Sequence, residues 1–292
     1  MIISDTPCIT CIVSKQEKMI RPMADTEKKH EFMRVILQLF QEHLGKDSSI
    51  MIQRQVDDAY ERIFGAMPDY SALKSLYNQK LLSMEDRIEQ LILSDPDPVH
   101  AALRYVMAGN YIDFIAQDTV DDTVLEKLLA DANAQSIDAA LLERFKAELA
   151  QCSTLLYVLD NCGEIVLDKI LIRLLKNLYP GLKITAMVRG AVNVNDATYE
   201  DAVETGLDKL AEIVDNGSRM VGCMTGDMSE EAVKLLRESD MVITKGQANF
   251  ESLHGEGFSP WYVFLCKCDR MIDVLGIPRL TPVFRKEEDF PV

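Results

Sequence analysis

Five apolar residues, Leu155, Leu156, Tyr157, Val158 and Leu159, run straight into Asp160, Asn161, Cys162, Gly163 and Glu164, and an amphipathic segment begins at once. That order reads as a buried strand, a tight turn and the first turn of a helix. In an open parallel sheet, ligands bind just beyond the carboxyl ends of the strands, which is where Asp160 and Asn161 fall. A carboxylate beside an amide carbonyl offers hard oxygen donors to a divalent cation.

The pattern on either side of residue 150 differs. Residues 14–150 read as helix after helix, with apolar positions at three- and four-residue spacing over 28–44, 51–64, 70–93, 98–114 and 124–149. Pro96 and Pro98 break the run, and Asp97 is placed to cap the helix that Pro98 begins. From Ser153 onward, strand-length apolar runs at 154–159, 183–189, 239–244 and 261–265 alternate with helical segments at 163–178, 198–205, 229–238 and 268–275. Strand alternating with helix predicts a mostly parallel sheet with helices on its faces. The expected organisation is a helical cap over 1–150 and an α/β domain over 151–292.

Bulk properties narrow the function. A hydrophobic content of 48% supports a sizeable core. The net charge of −16 argues against a nucleic-acid groove or an anionic membrane surface. No apolar run reaches the roughly 18 residues of a membrane span, and residues 1–7 lack a signal-peptide layout. A cytoplasmic protein is expected. Seven cysteines, an odd number, fit reduced thiols better than a disulfide framework.

Four polar clusters fall at predicted strand ends. They are Asp160 to Glu164, the loop from Arg189 through Asn193, Asn195 and Asp196, the triplet Asp215, Asn216 and Gly217, and the segment Lys245, Gly246, Gln247, Ala248, Asn249, Phe250 and Glu251. Each has a bland reading. Asp-Asn and Asn-Gly pairs form turns, Asp196 stands where a helix cap belongs, and Lys245 and Gly246 suit a solvated loop. Glu164 is favoured by the helix dipole alone. Their recurrence at successive strand ends is what an active site on such a sheet looks like.

These segments, in order, resemble the damage-control phosphatase family, long catalogued only as domain of unknown function eighty-nine. The resemblance rests on residues 159–168, on Val188, Arg189 and Gly190 with Asn195, Asp196, Ala197 and Thr198, and on residues 245–251. Cys8 and Cys11, residues 108–114, and Lys267 with Cys268 resemble its cysteine-bearing, mainly prokaryotic branch. The resemblance implies a helical N-terminal part packed on a Rossmann-like three-layer α/β domain. It implies one divalent metal ion (manganese, cobalt, nickel or magnesium) held by Asp160, Asn161 and Asp196. It also implies that Lys245 meets the substrate phosphate. The chain departs from relatives at Cys162 and in the loop 190–196, without losing a ligand position.

The physics suits hydrolysis of a small phosphorylated metabolite. A divalent cation offsets the charge that shields a phosphate monoester from attack, and lysine stabilises its non-bridging oxygens. Backbone N–H groups near Gly163 are a further candidate phosphate contact. Asp160 either ligates or attacks; Glu164 is the other candidate catalytic carboxylate. Asn110, Asp113, Arg189, Asn249 and Glu251 are expected toward the substrate, with structural roles as the alternatives. One alternative function is an S-adenosylmethionine-dependent carboxyl methyltransferase, against which stands a turn with a single glycine, Gly163. Another is a non-catalytic metal-binding module. Cys8, Cys11, Cys266 and Cys268 read first as inert thiols and second as a zinc site. Substrate identity and oligomeric state stay open.

Overall fold

The computed structural model describes residues 1–112, 122–132 and 137–290. Among the described residues, eight helices precede the first strand: α1 (Thr6–Ile20), α2 (Thr26–His43), α3 (Ser49–Phe64), α4 (Ser71–Leu82), α5 (Glu85–Leu93), α6 (Pro98–Gly109), α7 (Asp122–Asp131) and α8 (Ala139–Leu149). Then follow β1 (Thr154–Val158), α9 (Glu164–Leu178), β2 (Lys183–Val188), α10 (Tyr199–Thr205), β3 (Glu212–Asp215) and α11 (Glu230–Glu238). The chain continues with β4 (Met241–Lys245), α12 (Gln247–Leu253), β5 (Trp261–Leu265), α13 (Asp269–Leu275) and β6 (Pro282–Lys286).

The strands form one sheet in the order β3-β2-β1-β4-β5-β6. All neighbours pair in parallel except β5 with β6. The strand order reverses between β1 and β4, so their carboxyl ends flank the crevice where such sheets bind ligands. Side-chain alternation sorts the core into layers. Leu155, Tyr157 and Leu159 join Trp261, Val263 and Leu265 on one face, under α6, α8 and α9. Leu156 and Val158 join Tyr262 and Phe264 on the other, with residues of α11, α12 and α13. The mixed α/β architecture expected from the sequence is the one observed. The first apolar cluster runs across residue 150, from Ile92, Val106 and Phe145 to the sheet. Helices α1, α2 and α3 share a cluster of their own around Phe32, Ile36 and Val56.

Several boundaries differ from the periodic reading. The segment 70–93 is two helices, because Ser83 returns its hydroxyl to the Lys80 carbonyl (2.6 Å) and the chain turns there. Likewise α7 and α8 divide the expected helix over 124–149. Asp97 caps α6 as expected, accepting from the His100 amide at 3.2 Å. Asp196 does not cap α10. Thr198 does, donating its backbone N–H to Asp201 at 2.8 Å. Three elements were not anticipated: α1, signalled by Asp5 as its cap and Pro7 in its first turn, α12, which begins right after Gly246, and the edge strand β6, which opens on a proline.

Candidate active site

Asp160 and Asn161 leave β1, and Asp196 ends the loop after β2. An antiparallel bridge between Asn161 and Asp196 sets the two side by side. Asp160, Asn161 and Asp196 lie together on the floor of a cavity of about 890 Å³. Each oxygen donor is held. Asp160 Oδ2 accepts from Asn110 Nδ2 (2.9 Å) and Asn161 Nδ2 (2.6 Å). Asn161 Oδ1 accepts from Asn195 Nδ2 at 2.7 Å. An amide oxygen has two lone pairs, so that bond fixes its aim and leaves it able to ligate. Asp196 Oδ2 accepts from Arg189 Nε at 2.5 Å. Gly246, at φ +80°, lets β4 close on this group: a Cβ there would stand 2.0 Å from Asp160 Cγ.

Behind the floor lies a buried ionic cluster. Lys245 is fully enclosed and donates to Glu164 Oε1 and, at 2.9 Å, to Asp168 Oδ1. Tyr157 Oη also donates to Asp168, at 2.6 Å. Glu164 Oε2 accepts from Asn110 (2.8 Å) and Asn161 (3.1 Å). Burial alone would lower the Lys245 pKa, but the Asp168 and Glu164 carboxylates outweigh it and hold the ammonium protonated. Arg189 behaves likewise: desolvation pulls its pKa down, Asp196 pulls it up, and the net shift is upward. Its other donors go to the Gly222 carbonyl (2.6 Å) and Asn249 Oδ1 (3.1 Å).

The cavity walls come from distant parts of the chain. Thr6, Cys8, Cys11, Lys15 and Lys18 line it from α1, Ser49 and Gln53 from α3, and Gln247 and Glu251 from α12. Lys267, Cys268, Asp269, Arg270 and Arg279 line it beyond β5. Glu251 accepts from Ser49 Oγ (2.9 Å) and Gln247 Nε2 (2.8 Å), and burial pushes its pKa up. Lys267 is only 3% exposed and stands two residues past β5, at the same sheet edge as Asp160.

The expected residues therefore fall into two groups. Asp160, Asn161, Asp196 and Glu251 border the cavity. Lys245 and Glu164, expected as catalytic, and Asn110, Arg189 and Asn249, expected toward the substrate or in structural roles, are not among its lining residues and lie behind the floor in this structure. The reason is that their polar atoms are engaged with one another. Asn110 Oδ1 also accepts from the Leu265 amide (3.0 Å), and Asn249 Nδ2 donates to the Lys245 and Leu159 carbonyls. Asp113 lies outside the described residues. The start of α9 is not a phosphate cradle. Gly163 N–H donates to Asn78 Oδ1 (2.7 Å), and the Cys162 and Glu164 amides bond to the Asn195 and Cys162 carbonyls. Asp215, Asn216 and Gly217 are turn formers: Asp215 accepts from the Gly217 amide, and Asn216 from the Gly190 and Ser218 amides. Lys267, not expected at the site, borders the cavity. Its signal was its place just after an apolar strand.

Among the described residues no three His, Cys, Asp or Glu side chains form a metal-binding group. Cys8, Cys11, Cys266 and Cys268 thus make no zinc site there, and burial raises the pKa of each. The floor triad has two carboxylates and one amide, a donor set whose chemistry fits a hard divalent ion. Among the described residues, no helix is long and apolar enough to cross a membrane.

Comparison with known proteins agrees with this architecture. An uncharacterised protein of Methanocaldococcus jannaschii is 25% identical over 285 residues, spanning 92% of this chain and 91% of its own. A protein of Archaeoglobus fulgidus named damage-control phosphatase is 27% identical over 219 residues, 74% of each chain. Another of that name, from Pyrococcus horikoshii, is 32% identical over 181 residues, 61% of each. The crystal structure of a DUF89 family protein from Pyrococcus horikoshii superposes with a TM-score of 0.77 at 22% identity, covering 98% of this chain and 100% of that one. The family model described as the damage-control phosphatase ARMT1-like domain matches residues 4–280, and the chain belongs to that family.

Proposed function

We propose that this protein is a metal-dependent phosphatase acting on small phosphorylated metabolites. The observation that carries the reading is the meeting of Asp160, Asn161 and Asp196 on the floor of a cavity that cationic side chains also line. Relatives named damage-control phosphatases support it. The three floor residues would hold one divalent ion, manganese, cobalt, nickel or magnesium. When bound, such an ion offsets phosphoryl charge and acts as a Lewis acid.

The protein's own residues do the rest. Asn110 and Asn161 orient the Asp160 carboxylate, and Arg189 orients Asp196. Lys267, buried at the cavity wall, stabilises the phosphoryl oxygens as a point charge. Lys245 and Glu164 act one layer back. Lys245 offsets the Glu164 charge, and Glu164 in turn accepts from the Asn110 and Asn161 amides that aim Asp160. Lys267 and the bound ion would give a strongly acidic protein a local environment fit for an anionic substrate. The methyl-transfer reading needs the turn after β1 to approach a nucleotide cofactor closely. Here the Gly163 N–H is taken by Asn78, and a Cβ there would meet Ile112 and Tyr77 at 3.1 and 3.2 Å.

The test is phosphate release from p-nitrophenyl phosphate and a panel of phosphorylated metabolites, using metal-stripped protein with each ion added back. Release should need the ion and fall at least about a hundredfold in Asp160→Asn. Folded protein that releases no phosphate with any of the four ions would overturn the reading.

A further inference from the structure

Asn161 can serve an ion only through its side-chain oxygen, because the two ends of an amide are alike in shape and its nitrogen is a donor. That nitrogen faces acceptors: Nδ2 donates to Asp160 Oδ2 (2.6 Å) and Glu164 Oε2 (3.1 Å). The oxygen faces a donor, Asn195 Nδ2, at 2.7 Å. The other proton of Asn195 Nδ2 goes to the Ile112 carbonyl at 3.2 Å. Asn195 is fully buried and is not among the residues lining the cavity, so it serves the floor from behind.

This arrangement carries two local costs on adjacent residues. Asn195 Oδ1 is buried with no hydrogen-bond partner among the described residues, and an unbonded buried acceptor is destabilising. Turning the amide over would set that oxygen against the Ile112 carbonyl and the Asn161 oxygen, acceptor against acceptor. Val194 lies at φ +45°, a left-handed conformation that a β-branched residue adopts only under strain. It is in none of the apolar clusters that build the core, so core packing does not offset that strain. The turn is pinned on both sides of Val194. Asn193 O accepts from the Asp196 amide (2.9 Å), and Asn195 O accepts from the Cys162 amide (2.8 Å). What the strained turn achieves is local: it sets the Asn195 donor against Asn161, and it sets Asp196 beside Asn161.

We propose that Asn195 is a positioning residue for the divalent ion, holding the Asn161 oxygen in place as a ligand, and that the strained turn at Val194 fixes Asn195 and Asp196 before the ion binds. The inference rests on the reading that Asp160, Asn161 and Asp196 hold an ion. It adds to them a residue that touches neither ion nor substrate.

Binding of manganese, cobalt, nickel and magnesium to metal-stripped protein is measured by calorimetry, and the tightest-binding ion is used throughout. Melting temperatures are taken on the same ion-free samples. Asn195→Ala removes the donor. Asn195→Leu also removes it, but fills the space and discards the unbonded oxygen, so this variant is the one expected to keep its fold. Each should bind the ion about ten- to a hundredfold more weakly than the parent. Hydrolysis of p-nitrophenyl phosphate should need correspondingly more of the ion for half its maximal rate. Val194→Gly releases the strain, so its ion-free melting temperature should equal or exceed the parent's while its ion affinity falls. A merely structural role for either residue would move the melting temperature and leave Kd alone. Parent-like ion affinity in both Asn195 variants overturns the inference and leaves the phosphatase reading standing. A parent that binds none of the four ions overturns the ion reading, and this inference with it.

Discussion

Gly246 shows how one backbone position governs the site. Its positive φ and missing Cβ allow β4 to meet the Asp160 carboxylate. Gly246→Ala must push that carboxylate aside, and a misplacement of about 1 Å costs on the order of a hundredfold in rate. We expect that loss in kcat/KM with p-nitrophenyl phosphate, together with a lower melting temperature; an alanine variant as active as the parent would show that Asp160 does not need this seat. Asp57 is a second local case. Burial raises its pKa from 3.8 to about 6, against the opposing effects of Gln53, Lys15 and Arg54. The folded state therefore binds the proton more tightly than the unfolded chain. The resulting stability is fully present below the unfolded value and is lost as pH rises through about 6. Asp57→Asn keeps an acceptor for Gln53 and removes the titration. The variant should melt above the parent at neutral pH, and the gap should close in acid. A pH-independent difference between the two would refute this. The place of Asp160 and Asn161 at the cavity was legible at this scale because a polar residue after a buried strand has one place to go. The seat of Lys245 was not, because its partners Glu164 and Asp168 are 81 and 77 positions away and only the fold joins them.

At the scale of elements, the helical half is fastened to the turn after β1 by Asn78 of α4. Its Oδ1 accepts from the Gly163 amide, and its Nδ2 donates to Asp201 (2.9 Å) and Glu204 (2.7 Å) around α10. Lys74 adds a buried ion pair with Asp201 at 2.7 Å. Asn78→Ala leaves the Gly163 N–H and the Asp201 carboxylate short of partners inside the protein. Each lost bond to a buried group costs about 1–3 kcal/mol. With two such bonds lost, urea unfolding should register a loss of about 2–6 kcal/mol, and phosphate release should weaken with it; unchanged stability would mean that α4 is not a brace. Helix identity was readable from periodicity, whereas helix ends were decided by local bonds such as Ser83 to Lys80. The start of α1 was readable from Asp5 and Pro7. Its role as a cavity wall was not, since that depends on where the helix docks.

For the molecule as a whole, the net charge of −16 means that folding concentrates like charges. Raising ionic strength from about 0.01 M to about 0.15 M shortens the screening length from roughly 30 to 8 Å. The melting temperature should rise over that interval. A fall would show that attractive surface pairs such as Arg219 with Glu61 and Arg173 with Glu89 outweigh the general repulsion.

The sequence by itself determined the α/β class, the strand that delivers Asp160 and Asn161, and the turn chemistry at strand ends. All of these are set by periodicity and by contacts between near neighbours. Only the tertiary structure decided that Lys245 stands behind the floor rather than on it. It also decided that Lys267 and the lysines of α1 border the same cavity, and that Asn110, Arg189 and Asn249 are braces. Those outcomes depend on which buried polar groups find partners across the fold. A buried charge must be paired, and the pairing is made between elements that the chain brings together only when it folds.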